Sequence, residues 1–280
     1  MEVLAREEWQ ARAASHAARL AAYVEPHLAR RESRVRHPVH DFLFTYYSQR
    51  PAQLLRWHPG YGVRLADAPE YAGLKGYDAG AVTHDHLASQ RVLVETLRRL
   101  LRATADRAPN FGCFGMHEWA MVYGLSEEQV RHAEWPLRLG ADGTDRVVES
   151  HRIACSHFDA YRFFTPAAAP LNTLRPASYD RPDFEQPACL HAGMDLYKHA
   201  FRLSPLISSD LVADAFELAW DIRVLDMRAA PYDLSDLGLD PVPIETSEGK
   251  QAYAAAQRAF ADRAAPIRER LIAECERLLS

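Results

Sequence analysis

Apolar residues recur at helical spacing along most of the chain. Trp9, Ala13, His16, Leu20 and Tyr23 mark a helix over residues 5–30, with Pro26 expected to disturb its last turns. Pro38 is placed to begin a second helix through VHDFLFTYYS, and Pro51 a short third one. Residues 85–106 form a strongly amphipathic helix in which Leu87, Val92, Val94, Leu97 and Leu101 share one broad face. MHEWAMVYG reads as a buried helix stopped at Gly124. Ser126 and Gln129 make a capping box for a short helix that ends before Pro136. ADGTD is expected to form a turn. Residues 145–164 fit one long helix or a strand followed by a helix, and the lack of sustained period-2 alternation favours the helix. Helices over 187–203, 209–228 and about 247–279 follow, the last crossing Pro266.

Pro, Gly and Asp collect between these runs. WHPGYGVRLADAPEYAGLKGYDAG reads as a long connection with one short strand at Gly62–Leu65. TPAAAPLNTLRPASYDRPDFEQPA carries five prolines and is expected to be a loop or lid, and residues 231–246 form a second Pro- and Asp-rich loop. No repeat of solenoid period occurs. The expected architecture is mainly α: a single helical domain over residues 1–280, with two long Pro-rich loops and little or no sheet.

Composition narrows the function classes. Hydrophobic residues make up 48% and charged residues 25% of the 280, ordinary values that exclude a disordered chain, a collagen and a rod. Thirty-three Lys and Arg against 38 Asp and Glu give a net charge of −5, which disfavours a strongly basic nucleic-acid binder. No apolar run approaches the roughly 20 residues of a membrane span. The N-terminus has neither the basic nor the apolar region of a signal peptide, so a cytoplasmic protein without membrane contact is expected. Cys113, Cys155, Cys189 and Cys275 form no C-x-x-C pair and are expected to be free thiols. The notable count is 13 histidines, many beside Asp or Glu, because imidazole titrates near neutrality and ligates metals.

Four segments set titratable groups among apolar and aromatic residues. HPVHDFLFTYYSQRPAQLLRWHPG holds Tyr46, Tyr47, Arg50 and Trp57. GCFGMHEWAMVYG holds His117, Glu118, Trp119 and Tyr123. ESHRIACSHFDAYRFF holds His157, Asp159 and Arg162, and CLHAGMDLYKHAF holds His191, Asp195 and Lys198. Burying such groups is costly unless they meet, so the segments are expected to converge on one pocket. His191, Asp195 and His199 stand at i, i+4, i+8 on one helical face, which suits a ligand- or metal-facing stripe. Ion pairing of Asp195 with Lys198 or His199 accounts for the same stripe equally well. Glu118 beside Trp119 and Phe114 is a candidate general acid or base, and a buried salt bridge to Arg50 or Arg56 is the plain alternative. Met121 stands where an H-E-x-x-H motif would need its second histidine. Asp210, Asp214, Glu217 and Asp221 line one face of helix 209–228, either as a solvated stripe or, for Glu217 and Asp221, as metal ligands.

In order, these segments, with DIRVLDMRAAPYDL, resemble a family of uncharacterised bacterial proteins known under the label 3-methyladenine DNA glycosylase, over nearly the whole chain. The resemblance implies a hydrolase that removes alkylated bases from DNA and needs no cofactor. Tyr46, Tyr47, Trp57, Trp119 and Tyr123 would then stack on a cationic base, with Arg50, His117, Arg162, His191 and Lys198 around it. Glu118, His157, Asp159 and Asp195 would be the catalytic candidates, and Arg30, Arg31, Arg34 and Arg36 would touch phosphates. No Gly-rich helix–hairpin–helix clamp occurs, which separates the chain from the helical glycosylase superfamily. Two other classes fit the residues. One is a small-molecule enzyme with a His/carboxylate pocket, using a divalent metal drawn from Glu118, His157, His191, Asp195, Glu217 and Asp221. The other is a non-catalytic ligand-binding helical protein.

Overall fold

The computed structural model describes residues 1–130 and 135–280 and is mainly α. Among the described residues the helices are α1 (Arg6–Glu32), α2 (Phe42–Thr45), α3 (Pro51–Leu54), α4 (His84–Ala105), α5 (Met116–Ala120), α6 (Gly140–Glu149), α7 (Phe158–Tyr161), α8 (Arg181–Phe184), α9 (Leu190–Leu203), α10 (Ser209–Arg228) and α11 (Ser247–Leu279). Four short strands, β1 (Glu2–Leu4), β2 (Val63–Leu65), β3 (Tyr77–Asp78) and β4 (Ala81–Val82), form one small sheet. Among the described residues no helix is long and apolar enough to cross a membrane. The chain divides into two compact units: Met1–Arg102 with Met194–Trp220 and Pro266–Ser280, and Ala103–Gly193 with Asp221–Ala265.

In the first unit α1 buries Trp9, His16, Leu20, Val24 and His27 as one stripe. Tyr23 meets Phe216 and Trp220 edge-on, at centroid distances of 5.4 and 4.9 Å. Pro26 leaves the helix unbroken to Glu32, because Val24 and His27 on either side of it are held by packing and by the Asp41 carboxylate. The second expected helix is much shorter. Asp41 accepts the His37 backbone N–H at 2.9 Å and pairs with Arg30 and His27, which fixes residues 38–41 as a turn and delays the helix to Phe42. The start at Pro51 is as expected. On α4 the buried face is Val94, Leu97, Leu100 and Leu101; Val92 is 76% exposed, two residues and therefore about 200° from Val94. The expected strand near Gly62 exists and has partners: sheet order is β1-β2-β4-β3, with β1 parallel to β2. It closes over Leu4, Trp9, Trp57, Leu65 and Tyr71.

The second unit carries two corrections. ADGTD is helical, the first half of α6. Thr144 Oγ1 donates back to the Gly140 carbonyl at 2.7 Å. Gly143 lies so close to Leu139 that an added Cβ would sit 2.6 Å from its Cβ, so the glycine serves packing there and not a turn. Residues 145–164 are no single helix. After α6 the chain extends, and Ile153 bridges Asn172 in parallel. The Asn172 amide accepts the Cys155 N–H at 2.7 Å and donates to its carbonyl at 3.0 Å, replacing the bonds a helix would supply. The Pro-rich loop 165–188 is largely irregular, with the short α8 inside it. Ser126 and Gln129 close a 3-10 turn, Glu127–Gln129, through the Gln129 side chain; the rest of that expected helix lies outside the described residues. α11 runs on through Pro266.

Two histidines of the first unit make it acid-sensitive. Burial lowers His58 from 6.5 to about 4, helped by Arg56 and His16. Burial also lowers His37 to about 4, helped by His40 and Arg30. The unfolded chain therefore binds these protons near pH 6.5 while the folded one refuses them, so their contribution is complete above 6.5 and is lost as pH falls towards 4. The urea midpoint should drop steadily over that window. In His58→Phe it should start lower, because the 2.9 Å contact with the Tyr77 hydroxyl is gone, but fall less steeply. An unchanged pH slope would mean that His58 is not among the groups responsible.

Candidate metal centre

The second unit gathers charge in its core. α5 starts where Phe114 and Gly115 both take positive φ, 44° and 66°, a reversal that glycine accepts freely and phenylalanine does not. It places His117 and Glu118 on the buried side. The start of α9 supplies His191, and the last turns of α10 supply Arg223 and Asp226. Arg223 Nη1 donates to Glu118 Oε1 at 3.1 Å and to Asp226 Oδ2 at 3.0 Å. His117 Nε2 stands 3.1 Å from Asp226 Oδ1 and 3.8 Å from Glu118 Oε1. The His117 ring meets His191 edge-on at 4.4 Å, and His191 lies 5.3 Å from His157.

One ligand atom each from His117, His191 and Asp226 falls within 4.8 Å of the other two, and all three residues are buried. His117 Nε2 and Asp226 Oδ1 face each other without hydrogen-bond alignment, and neither has a hydrogen-bonding partner among the described residues. A protonated His117 makes this contact an ion pair, and with a neutral His117 a shared cation would satisfy both atoms. Two imidazoles and one carboxylate suit Zn²⁺ or Fe²⁺ and leave coordination positions open.

Electrostatics separates the two carboxylates. Burial alone would raise Asp226, but His117, His191 and Arg223 hold it far below the usual carboxylate range. Glu118 is raised, by burial and by the charge of Asp226, which outweigh Arg223. Burial would lower His117, yet Asp226 and Glu118 carry it above its ordinary value. Beside this group lies a small chamber of about 20 Å³, walled by His117, His191, Tyr253 and the thiols of Cys113, Cys155 and Cys189. Burial pushes Cys155 up to about 12 and raises the other two, so the thiols stay protonated.

The sequence-derived candidates divide between the units. His117, Glu118 and His191 meet directly, with His157 next to His191. His157 Nε2 lies 3.5 Å from Glu185, which Arg181 also holds, so it belongs to the surround of the trio. Asp159 pairs with Arg162 at 3.5 Å and Arg181 at 4.0 Å. Trp119 is a core residue, donating Nε1 to the Ala229 carbonyl at 2.9 Å. Tyr123 donates to Glu149. Asp195 and Lys198 belong to the first unit, where Asp195 accepts the Tyr47 hydroxyl at 2.9 Å and Lys198 Nζ at 3.4 Å. Tyr46 stacks on Phe42, Trp57 donates to Asp210, and Arg50 opens α3. Arg30 is paired with Asp41, while Arg31, Arg34 and Arg36 are exposed. Glu217 is gripped by Arg19 and Asp221 by Arg263, so neither stands with the metal trio.

The arginine that meets Glu118 is Arg223, which with Asp226, Glu185 and Tyr253 is absent from the sequence-derived site candidates. A signal was present. In DIRVLDMR, Arg223 and Asp226 stand at i, i+3 among the apolar positions Ile222, Leu225 and Met227, so a helix with that core face must bury charge. Comparison with family models, with curated proteins and with solved structures found no match to the chain.

One guanidinium between two carboxylates predicts opposite effects of neutralising them. Glu118→Gln leaves Arg223 paired with Asp226 and removes a repulsive charge, so the metal-free protein should melt at the wild-type temperature or above. Asp226→Asn takes the central partner from both Arg223 and His117 and should cost roughly 3 kcal/mol or more. A large drop for Glu118→Gln in a thermal melt would make the Glu118–Arg223 pair the structural one.

Proposed function

We propose that the chain is a metal-dependent enzyme acting on a small molecule, with His117, His191 and Asp226 as the ligands of one divalent ion. The observation that carries this reading is the buried trio itself: His117, His191 and Asp226 bring one ligand atom each within 4.8 Å of one another, with His117 Nε2 and Asp226 Oδ1 3.1 Å apart and out of hydrogen-bond alignment. An ion held by these three residues would supply Lewis acidity for polarising a water or substrate oxygen. Arg223 fixes the Asp226 carboxylate through its other oxygen, as residues around metal ligands commonly do. The substrate is small because the chamber beside the ligands has room for little more than a water-sized group. Protein purified without chelator should carry close to one equivalent of zinc or iron by elemental analysis. His191→Ala and Asp226→Asn should lose it while remaining folded by circular dichroism. Metal content that is absent in wild type, even after incubation with zinc or ferrous iron, would remove the reading.

Removal of alkylated bases from DNA is the second reading. It draws on the exposed Arg31, Arg34 and Arg36, a cationic strip at and beyond the end of α1. The aromatic candidates favour it less: Trp57, Trp119 and Tyr47 are buried with their polar atoms already bonded. On this reading affinity for DNA falls steeply between low and moderate salt, and Arg34→Ala reduces the slope. Binding that is absent at low salt would leave the metal enzyme alone.

A further inference from the structure

Tyr253 reaches the chamber wall from α11, a helix the metal ligands do not use. Its side chain is fully buried, and its hydroxyl has no hydrogen-bonding partner among the described residues. The nearby Cys113 thiol is only a weak partner, and that thiol already receives a bond from the Gln257 amide at 3.4 Å. The ring is set by an edge-on contact with Phe114 at 6.2 Å. Gly115 lines the far side, where an added Cβ would just touch the ring and hydroxyl at 3.4 Å. A buried hydroxyl left unsatisfied is costly to a fold, and phenylalanine would fill the same volume without that cost. The hydroxyl therefore has a use at the chamber. Besides imidazoles, thiols and apolar groups the wall holds Ser156 and a Gln186 amide engaged with Asn110, so the Tyr253 O–H is one of two hydroxyls that can meet whatever occupies the space.

We infer that the Tyr253 hydroxyl is the hydrogen-bond donor to a small ligand, water-sized or anionic, that the chamber admits onto the ion held by His117, His191 and Asp226. The inference rests on the metal reading and adds the class of ligand and the residue that orients it. An ion with three protein ligands takes hydroxide or a small anion at its open position, and an O–H donor stabilises the charge on that group. The buried wall of thiols and apolar groups strengthens such a bond by keeping bulk water out.

Azide titration of the cobalt-substituted full-length protein, followed by visible absorption, tests this. Wild type should bind azide at the metal. Tyr253→Phe should keep one cobalt per chain and bind azide at least about tenfold more weakly, the loss expected for one hydrogen bond to a charged acceptor. The metal-free Tyr253→Phe protein should melt no lower than wild type. Equal azide affinity in the two proteins overturns the inference and leaves the metal reading standing. So does a metal-free variant that melts well below wild type, because the hydroxyl would then be supporting the fold. Failure of wild type to take up cobalt overturns the metal reading, and this one with it.

Discussion

A single guanidinium organises the core of the second unit. Arg223 is buried and divides its donors between Glu118 and Asp226, which are buried too. Desolvating an ion is expensive, and three ions desolvated together persist only if each is compensated. One positive charge against two negative charges leaves the group one unit short. A proton on His117 or on Glu118, both of which are raised, makes up the difference, and a divalent cation held by a neutral His117 would more than offset it. The elevated His117 and Glu118 are consequences of that deficit, while Asp226 is depressed because His117, His191 and Arg223 all face it.

The elements that supply the group explain why it holds its shape. Asp226 sits in the last turn of α10, where the helix dipole disfavours a carboxylate, so it depends on Arg223 one turn earlier and on His117 from another segment. His117 is delivered by a five-residue helix whose start is forced through two positive-φ residues. His191 comes from the beginning of α9. Three segments distant in sequence thus bring His117, His191 and Asp226 together, and the extended stretch around Cys155, pinned by Asn172, closes the thiol wall beside them.

Polar residues elsewhere have mostly structural partners. The acidic side of α10 is matched by arginines: Arg19 and Arg270 on Asp214, Arg19 on Glu217, Arg263 on Asp221. These pairs are partly or well exposed and contribute little each. Asp41 has a larger local effect, because it ties Arg30, His27 and the His37 N–H into one turn that ends the first long helix region. Asp195 is bound by Tyr47 and Lys198 within the first unit, which gives its burial a reason of its own.

The long helices were legible because their information is local. The apolar stripe of α1, the face of α4 and the runs of α9, α10 and α11 are periodicities that a sequence displays directly. Glu118, His117 and His191 could likewise be singled out, since charge amid aromatic residues is visible without coordinates. What the sequence could not supply is which charges meet. Arg223 and Asp226 lie more than 100 positions from Glu118, and nothing in local pattern ranks Arg223 above Arg50 or Arg56 as its partner. The same holds for α6 and the chain after it. Asp, Gly and Thr favour a turn in isolation, but packing of Gly143 against Leu139 makes ADGTD helical, and a side-chain amide from residue 172 draws Cys155 out of a helix. Local propensity amounts to a few tenths of a kcal/mol per residue, and long-range contacts of this kind outweigh it.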